Sequence, residues 1–311
     1  MKILIIGGTR FIGKSLAKKF IHCKHEVTVL SRREGEISGI NYINMNKNDG
    51  LNYLSSINQR FDMVFDFIVY ASEDLFYLRK IKFNYFIMIS TVWVEKLSAG
   101  LKLDELVNDL QPIENITKFT YEYIYKKSMA ENILLNDKLI TNPMILRLPI
   151  VLGENEHTGR YDFYKLRSFD DYPYLFINDQ NNKVQITYES ELTNAIYKWS
   201  LDLNLFSNPI WEAIPNTSLS LKEIVINMSR KLNPNKKDII REISYFKLKS
   251  YFPEYLKYEP FWQEYELKIT EHNIFHYSNI KTSLFGTLDM FFNNKISDKF
   301  RKRELEILDK L

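Results

Sequence analysis

The chain has 311 residues, 45% of them hydrophobic, enough to bury one large domain or two medium ones. Its 42 basic and 39 acidic residues leave a formal net charge of only +3, so no large one-signed field is implied and nothing demands nucleic acid. The one cysteine, Cys23, excludes an intrachain disulfide, fits a reducing compartment, and reads as a buried, inert thiol.

Lys2 to Ile6 reads as a first strand that runs straight into Gly7-Gly8, far too short an apolar stretch for a signal peptide or a membrane span. No uninterrupted apolar run of about eighteen residues follows, so a soluble, cytoplasmic protein is expected. In the segment Phe11 to His22, Leu16, Phe20 and Ile21 share a face while Lys14, Lys18 and Lys19 can reach water, which predicts an amphipathic helix. Further strands are expected at Glu26 to Leu30, Asn41 to Met45, Met63 to Phe67, Tyr85 to Ile89 and Met144 to Arg147, with a helix over Thr120 to Asn136. This alternation predicts an α/β doubly wound parallel sheet. After Gly153 the pattern loosens, and Glu154 to Lys183, rich in Asp, Asn and Tyr, is the natural place for substrate loops. Strands are expected again at Val184 to Thr187 and Pro209 to Ile214, separated by a helix from Ser190 to Leu201. Ser220 with Glu223 forms a capping-box pattern that opens a helix through Leu232. Phe246 to Phe275 is dense in aromatics, and Asp298 to Leu311 reads as a charged amphipathic closing helix.

The loop after the first strand is Gly7-Gly8-Thr9-Arg10-Phe11-Ile12-Gly13. Glycines placed there permit a tight strand-to-helix turn and let a dinucleotide pyrophosphate approach backbone N–H groups at the positive end of the helix. Arg10 stands where the usual spacing has its middle glycine. The same stretch matches P-loop spacing through Gly8, Gly13, Lys14 and Ser15. Against that second reading, Phe11 and Ile12 look like helix residues that pack on the sheet. Where an acidic residue would favour NAD, the second strand ends in Leu30-Ser31-Arg32-Arg33. A hydroxyl and two guanidinium groups, with Arg10 in reach, suit a 2′-phosphate, so NADP is expected ahead of NAD. The expected organisation is a dinucleotide-binding domain over residues 1–152, to which 184–214 returns. A smaller C-terminal substrate domain then takes 153–183 and 215–311.

Residues Tyr121-Glu-Tyr-Ile-Tyr-Lys-Lys127 hold three tyrosines and two lysines, and spacing selects among them. A Tyr and a Lys four apart share a helix face, where the ammonium can lower the phenol pKa and hold a ribose. Tyr123 and Lys127 satisfy this; Lys126 would pair with Glu122, and Tyr121 with Tyr125.

On the residues Gly7 to Gly13, Phe61-Asp-Met-Val-Phe-Asp66, Ile89-Ser-Thr91, Tyr123 to Glu131 and Leu146-Arg-Leu-Pro-Ile-Val-Leu-Gly153, the chain resembles the short-chain dehydrogenase/reductase superfamily. The similarity is to its extended or atypical members, the NAD-dependent epimerases/dehydratases, and covers about the first 215 residues. It implies a Rossmann fold, a Tyr123/Lys127 proton-transfer pair, and Thr91, with Ser90 the second choice, hydrogen-bonding the substrate oxygen. It also implies Pro149 beside the nicotinamide, and Phe67 joins the expected cofactor contacts. Asn46 stands where relatives often carry an Asp near the adenine, and Glu95 where many carry Tyr. Val92 and Trp93 replace the Asp and Glu of relatives that dehydrate nucleotide-hexoses, so no sugar 4,6-dehydratase activity is expected. A nucleotide-sugar is the implied substrate class, with Arg160 offered to a phosphate and His157 to a sugar, and a homodimer is compatible with it. The Gly-Gly-Thr-x-Phe-x-Gly form is also similar to an atypical branch that includes RNA-binding proteins, so a non-catalytic nucleotide- or RNA-binding alternative stays open.

Overall fold

The computed structural model describes residues 1–95, 114–138, 140–153, 156, 165–177, 183–237, 239–251, 272–275 and 299–310. The first helix and strand follow directly from the sequence pattern: β1 is Lys2–Ile6 and α1 is Phe11–His22, with Leu16, Ala17 and Phe20 buried. Then come β2 (Glu26–Ser31), β3 (Asn41–Asn44), α2 (Lys47–Ser56) and β4 (Arg60–Asp66). A 3-10 segment over Ser72–Lys80 leads to β5 (Lys82–Thr91). The long helix α3 (Glu114–Asn136) precedes β6 (Pro143–Leu148) and β7 (Ile150–Leu152).

Seven parallel strands form one sheet in the order β11-β6-β5-β4-β1-β2-β3, where β11 is Ile210–Glu212. Both faces are covered, which is why the central strands read as apolar runs rather than alternating ones. One face packs Ile5, Val29, Phe65 and Ile87 against Leu16 and Phe20 of α1 and against Ile196 and Trp199 of α4 (Glu189–Leu201). The other packs Leu4, Val64 and Phe86 against Leu51 and Leu54 of α2 and Ala130 and Leu134 of α3. The strand order reverses between β1 and β4, and such a switch point opens a crevice at the carboxyl ends of the strands. Ile6, Asp66 and Met88 lie side by side across β1, β4 and β5 at that edge.

Of the two strands expected past residue 183, Ile210–Glu212 lies in the large sheet beside β6. The other splits around Gln185. Lys183–Val184 (β9) pairs with Leu219–Ser220 (β12), and Ile186–Tyr188 (β10) pairs with β7. A third apolar cluster gathers Ile150, Leu152 and Ile186 with Tyr174 and Phe176 of β8 (Tyr174–Ile177) and with α5 (Leu221–Leu232). The capping box at the start of α5 forms as its sequence predicts: Glu223 N donates to Ser220 Oγ at 3.3 Å, and Ser220 N donates to Glu223 Oε2 at 2.8 Å. β13 (Ile240–Ile243) pairs in parallel with β8, α6 (Tyr245–Tyr251) follows, and α7 (Lys299–Leu308) closes the chain.

Candidate active site

The glycine loop is shaped by contacts that exclude a Cβ. Gly7 has φ +86°, and a side chain there would meet Ile68 Cγ2 at 2.9 Å; at Gly13 a Cβ would lie 2.6 Å from the carbonyl oxygen of Gly7. These two positions let α1 start directly against the strand end. Phe11 sits at φ +41°, a left-handed conformation that costs a phenylalanine roughly 1 kcal/mol or more, strain of the kind that gathers at ligand clamps. Arg10 caps α1 in an extended conformation with no side-chain cap, and the first turn holds no acidic residue. Nothing in that turn opposes an anion at the helix dipole.

Thr9 and Ser31 join their hydroxyls at 2.8 Å, tying the loop to the end of β2, and Arg33 N donates to Ser31 Oγ at 3.3 Å. Arg32 and Arg33 are exposed here. Thr9, Lys14, Glu34, Gly35, Glu36 and Tyr42 line a small cavity of about 70 Å³ beside them. Lys14 reaches Glu36 at 3.9 Å, and the Ser15 hydroxyl donates to Glu189. The two side chains that a P-loop would direct at a triphosphate and its magnesium are thus engaged elsewhere, which weighs against that reading. Asn46 caps α2, accepting from Asp49 N at 2.9 Å and donating to Asp49 Oδ2 at 2.6 Å. Phe67 N donates to Ile6 O at 3.0 Å beneath the loop, and Gly8, Ile12 and Pro149 are buried.

On α3 the two adjacent lysines part company. Lys126 and Tyr125 face outward, whereas Lys127 is 2% exposed and Tyr123 half-buried. Lys127 Nζ donates to Ile89 O at 2.8 Å and lies 5.4 Å from the Tyr70 ring centre and 5.9 Å from that of Tyr123. Burial pulls the Lys127 pKa down to about 8, with Lys47 adding to the fall; the carboxylates of Asp66, then Glu131 and Asp74, oppose it.

The two hydroxyls that end β5 differ in their partners. Ser90 Oγ donates to Glu131 at 2.5 Å, and Arg147 grips the same carboxylate through Nη2 at 2.7 Å and Nε at 3.3 Å. Burial alone would lower Arg147, but the hydrogen bond and charge of Glu131 outweigh it and hold it above its usual value. Thr91 Oγ1 accepts only a long bond from Trp93 N, at 3.4 Å. His157 and Arg160 lie outside the described residues.

Four charged residues of this region have no site role in the sequence reading, although three of them lie within its motifs: Lys47, Asp66, Glu131 and Arg147. Asp66 Oδ2 meets Lys47 Nζ at 2.6 Å with side-chain exposures of 0% and 8%, and Asp66 Oδ1 accepts from Ile68 N at 3.0 Å. Two signals could have found some of them. Glu131 continues the Tyr123/Lys127 face by another four residues, and Asp66 is a lone charge inside the apolar run Met63 to Val69. Among the described residues no group of three or more His, Cys, Asp or Glu is placed to hold a metal ion. No described helix is long and apolar enough to cross a membrane.

No protein-family model matches the chain, and no curated protein matches it in sequence. In three dimensions it is similar to solved UDP-sugar 4-epimerases, whose fold it has. A UDP-glucuronic acid 4-epimerase from Bacillus cereus, solved with UDP-glucuronic acid and NAD, aligns at 16% identity over 98% of this chain and 100% of its own, with a TM-score of 0.61. A UDP-galactose 4-epimerase aligns at 14% over the whole of both chains, TM-score 0.59. The UDP-glucose 4-epimerase of Thermotoga maritima, solved with UDP-glucose, aligns at 14% over 98% of this chain and 100% of its own, TM-score 0.58.

Proposed function

We propose that the chain is an NAD(P)-dependent epimerase or reductase acting on a hydroxyl or carbonyl of a nucleotide-sugar or similar polar compound. The observation that carries this reading is the sorting of α3: of adjacent Lys126 and Lys127, the buried one lies beside Tyr123 at the carboxyl edge of the sheet, next to a glycine loop that a Cβ would obstruct. A nicotinamide dinucleotide bound along the crevice would supply the hydride acceptor and donor. The N–H groups at the start of α1 would hold its pyrophosphate. Tyr123 would take and return the substrate hydroxyl proton, Lys127 would stabilise the phenolate and bind the ribose, and Thr91 would orient the reacting oxygen. Ser90 is the weaker candidate for that last role because its hydroxyl is already given to Glu131. The solved epimerases bear NAD and UDP-sugars, which supports the cofactor and substrate classes without choosing among them.

Within the cofactor class, Arg32, Arg33 and Arg10 favour NADP, since guanidinium groups complement a 2′-phosphate. Calorimetry is the test: NADPH should bind more tightly than NADH, and Arg32→Asp should erase or reverse the preference. Equal affinities would overturn the NADP assignment, and tighter binding of ATP with magnesium than of either dinucleotide would overturn the reading as a whole. Because Val92 and Trp93 offer no acid and base, conversion of a nucleotide-hexose to its 4-keto-6-deoxy product is not expected.

A further inference from the structure

The ion pair of Lys47 and Asp66 is buried in the crevice below the glycine loop. Asp66 ends β4 in register with Ile6, the residue before Gly7, and Lys47 reaches it from the first turn of α2. A buried pair gives up hydration that apolar side chains would never need, so it is a poor device for stability alone. Across the sheet Asp66 pairs with Met88 of β5, and the carbonyl of the next residue, Ile89, accepts from Lys127 Nζ at 2.8 Å, so the strand register sets Lys127 beside the pair. The groups that face that ammonium are Asp66 from β4, Lys47 from α2, Tyr70 and Asp74 from the segment after β4, and Tyr123 and Glu131 from its own helix. Glu131 is gripped by Arg147 and Ser90 as Asp66 is by Lys47, and of the three carboxylates Asp66 does most to keep Lys127 charged.

We propose that the Lys47–Asp66 pair sets the protonation of Lys127, with Asp66 holding the proton on and Lys47 limiting how firmly. Asp66 is then a positioning residue for the proton-transfer pair, acting through Lys127 and not on substrate; in this the proposal rests on the reading of Lys127 given above. The two members of one ion pair have opposite effects on the same group, which a purely structural bond could not produce. Breaking the pair from either side would disturb structure alike, but would move Lys127 in opposite directions.

The experiment needs no substrate. Protein carrying [13C]lysine is titrated by NMR, and the Lys127 Cε resonance is assigned by its loss in Lys127→Met. The wild-type midpoint is expected near 8. Asp66→Asn should shift it down and Lys47→Met should shift it up, while Asp66→Asn/Lys47→Met should fall between them. Shifts of the same sign, or no shift in variants whose near-ultraviolet dichroism is native, would overturn the proposal. Should Asp66→Asn not fold, an unmoved or lowered midpoint in Lys47→Met overturns it alone. Dinucleotide binding by the wild-type protein is measured separately. Its absence would remove the proposed function while the titration still decides the coupling.

Discussion

Lys126 and Lys127 are neighbours of identical chemistry, and only their direction from the helix separates them. That difference makes a sharp mutational contrast. Tyr123→Phe removes one hydroxyl and keeps the ring, so turnover on a substrate found by screening should fall by about 10²- to 10⁴-fold with cofactor binding preserved. Tyr125→Phe should be mild. Lys127→Met should lose turnover and cofactor affinity together, and Lys126→Met neither; interchangeable lysines would sink the assigned register. Lys127 also carries a stability signature. Its folded pKa is depressed to about 8, so between that pH and the ordinary lysine value the unfolded chain binds the extra proton. Stability should therefore rise with pH across that window, and the cost of burying the charge is fully present below it. Lys127→Met should relieve that cost at pH 7, by up to about 3 kcal/mol, and the gain should vanish above roughly pH 10.5. Urea unfolding at pH 7 and pH 10.5 checks it; equal differences at both pH values would contradict a buried charged lysine. The Tyr123/Lys127 spacing was legible because helix periodicity is written in the sequence. Lys47, the partner of Asp66, was not, because a buried lysine is spelled like a solvated one, and only the tertiary fold removes the water.

Among the elements, β1 and α1 were readable to their ends because an apolar run, a glycine pair and an amphipathic stripe follow one another without ambiguity. The helix α2 was not. Lys47–Ser56 places only Gly50, Leu51 and Leu54 in the core and is otherwise polar, so its stripe is too thin to stand out; Asn46 starts it through a cap. The strands β8 and β13 were also missed, since each is four residues long and their pairing joins segments more than sixty residues apart. The candidate cofactor site depends most on the junction of β1 and α1. Gly13→Ala brings a methyl to 2.6 Å from the Gly7 carbonyl oxygen and 3.1 Å from Gly8 Cα, backbone atoms that cannot swing aside as a side-chain tip would. The loop must open, at a cost of about 1–3 kcal/mol by analogy with other overpacked sites. Dinucleotide affinity should fall with it, because the turn that presents the N–H groups is the part displaced. Calorimetry and urea unfolding on one sample would measure both, and unchanged affinity would place the pyrophosphate elsewhere.

At the scale of the whole molecule, the C-terminal helix is joined to the lobe beyond β7 by a charge pair between residues 137 apart in sequence. Arg167 and Glu304 pair with both side chains 0% exposed. Arg167 Nη2 also donates to Leu175 O at 2.7 Å, Leu175 N donates to Glu304 Oε1 at 3.1 Å, and the guanidinium lies 5.6 Å from the Phe176 ring centre. The pair thus occupies both backbone groups of Leu175 in β8, a strand whose ladder partner is β13. It latches α7 onto a sheet edge that would otherwise present those groups to whatever covers it. Removing one charge leaves the other buried, whereas removing both leaves no charge and only the N–H and C=O of Leu175 without their partners, and these have different costs. Glu304→Gln should destabilise the protein by about 3–5 kcal/mol, while Arg167→Met/Glu304→Leu should recover part of the loss, the rest being the unpaired backbone groups of Leu175. Dinucleotide affinity should be unchanged in the double variant, since the glycine loop belongs to the large sheet and shares none of these bonds. Urea unfolding of the single and double variants tests the latch. If the double variant were as unstable as the single one, the stability would lie in hydrogen bonds to Leu175 and not in compensated charge.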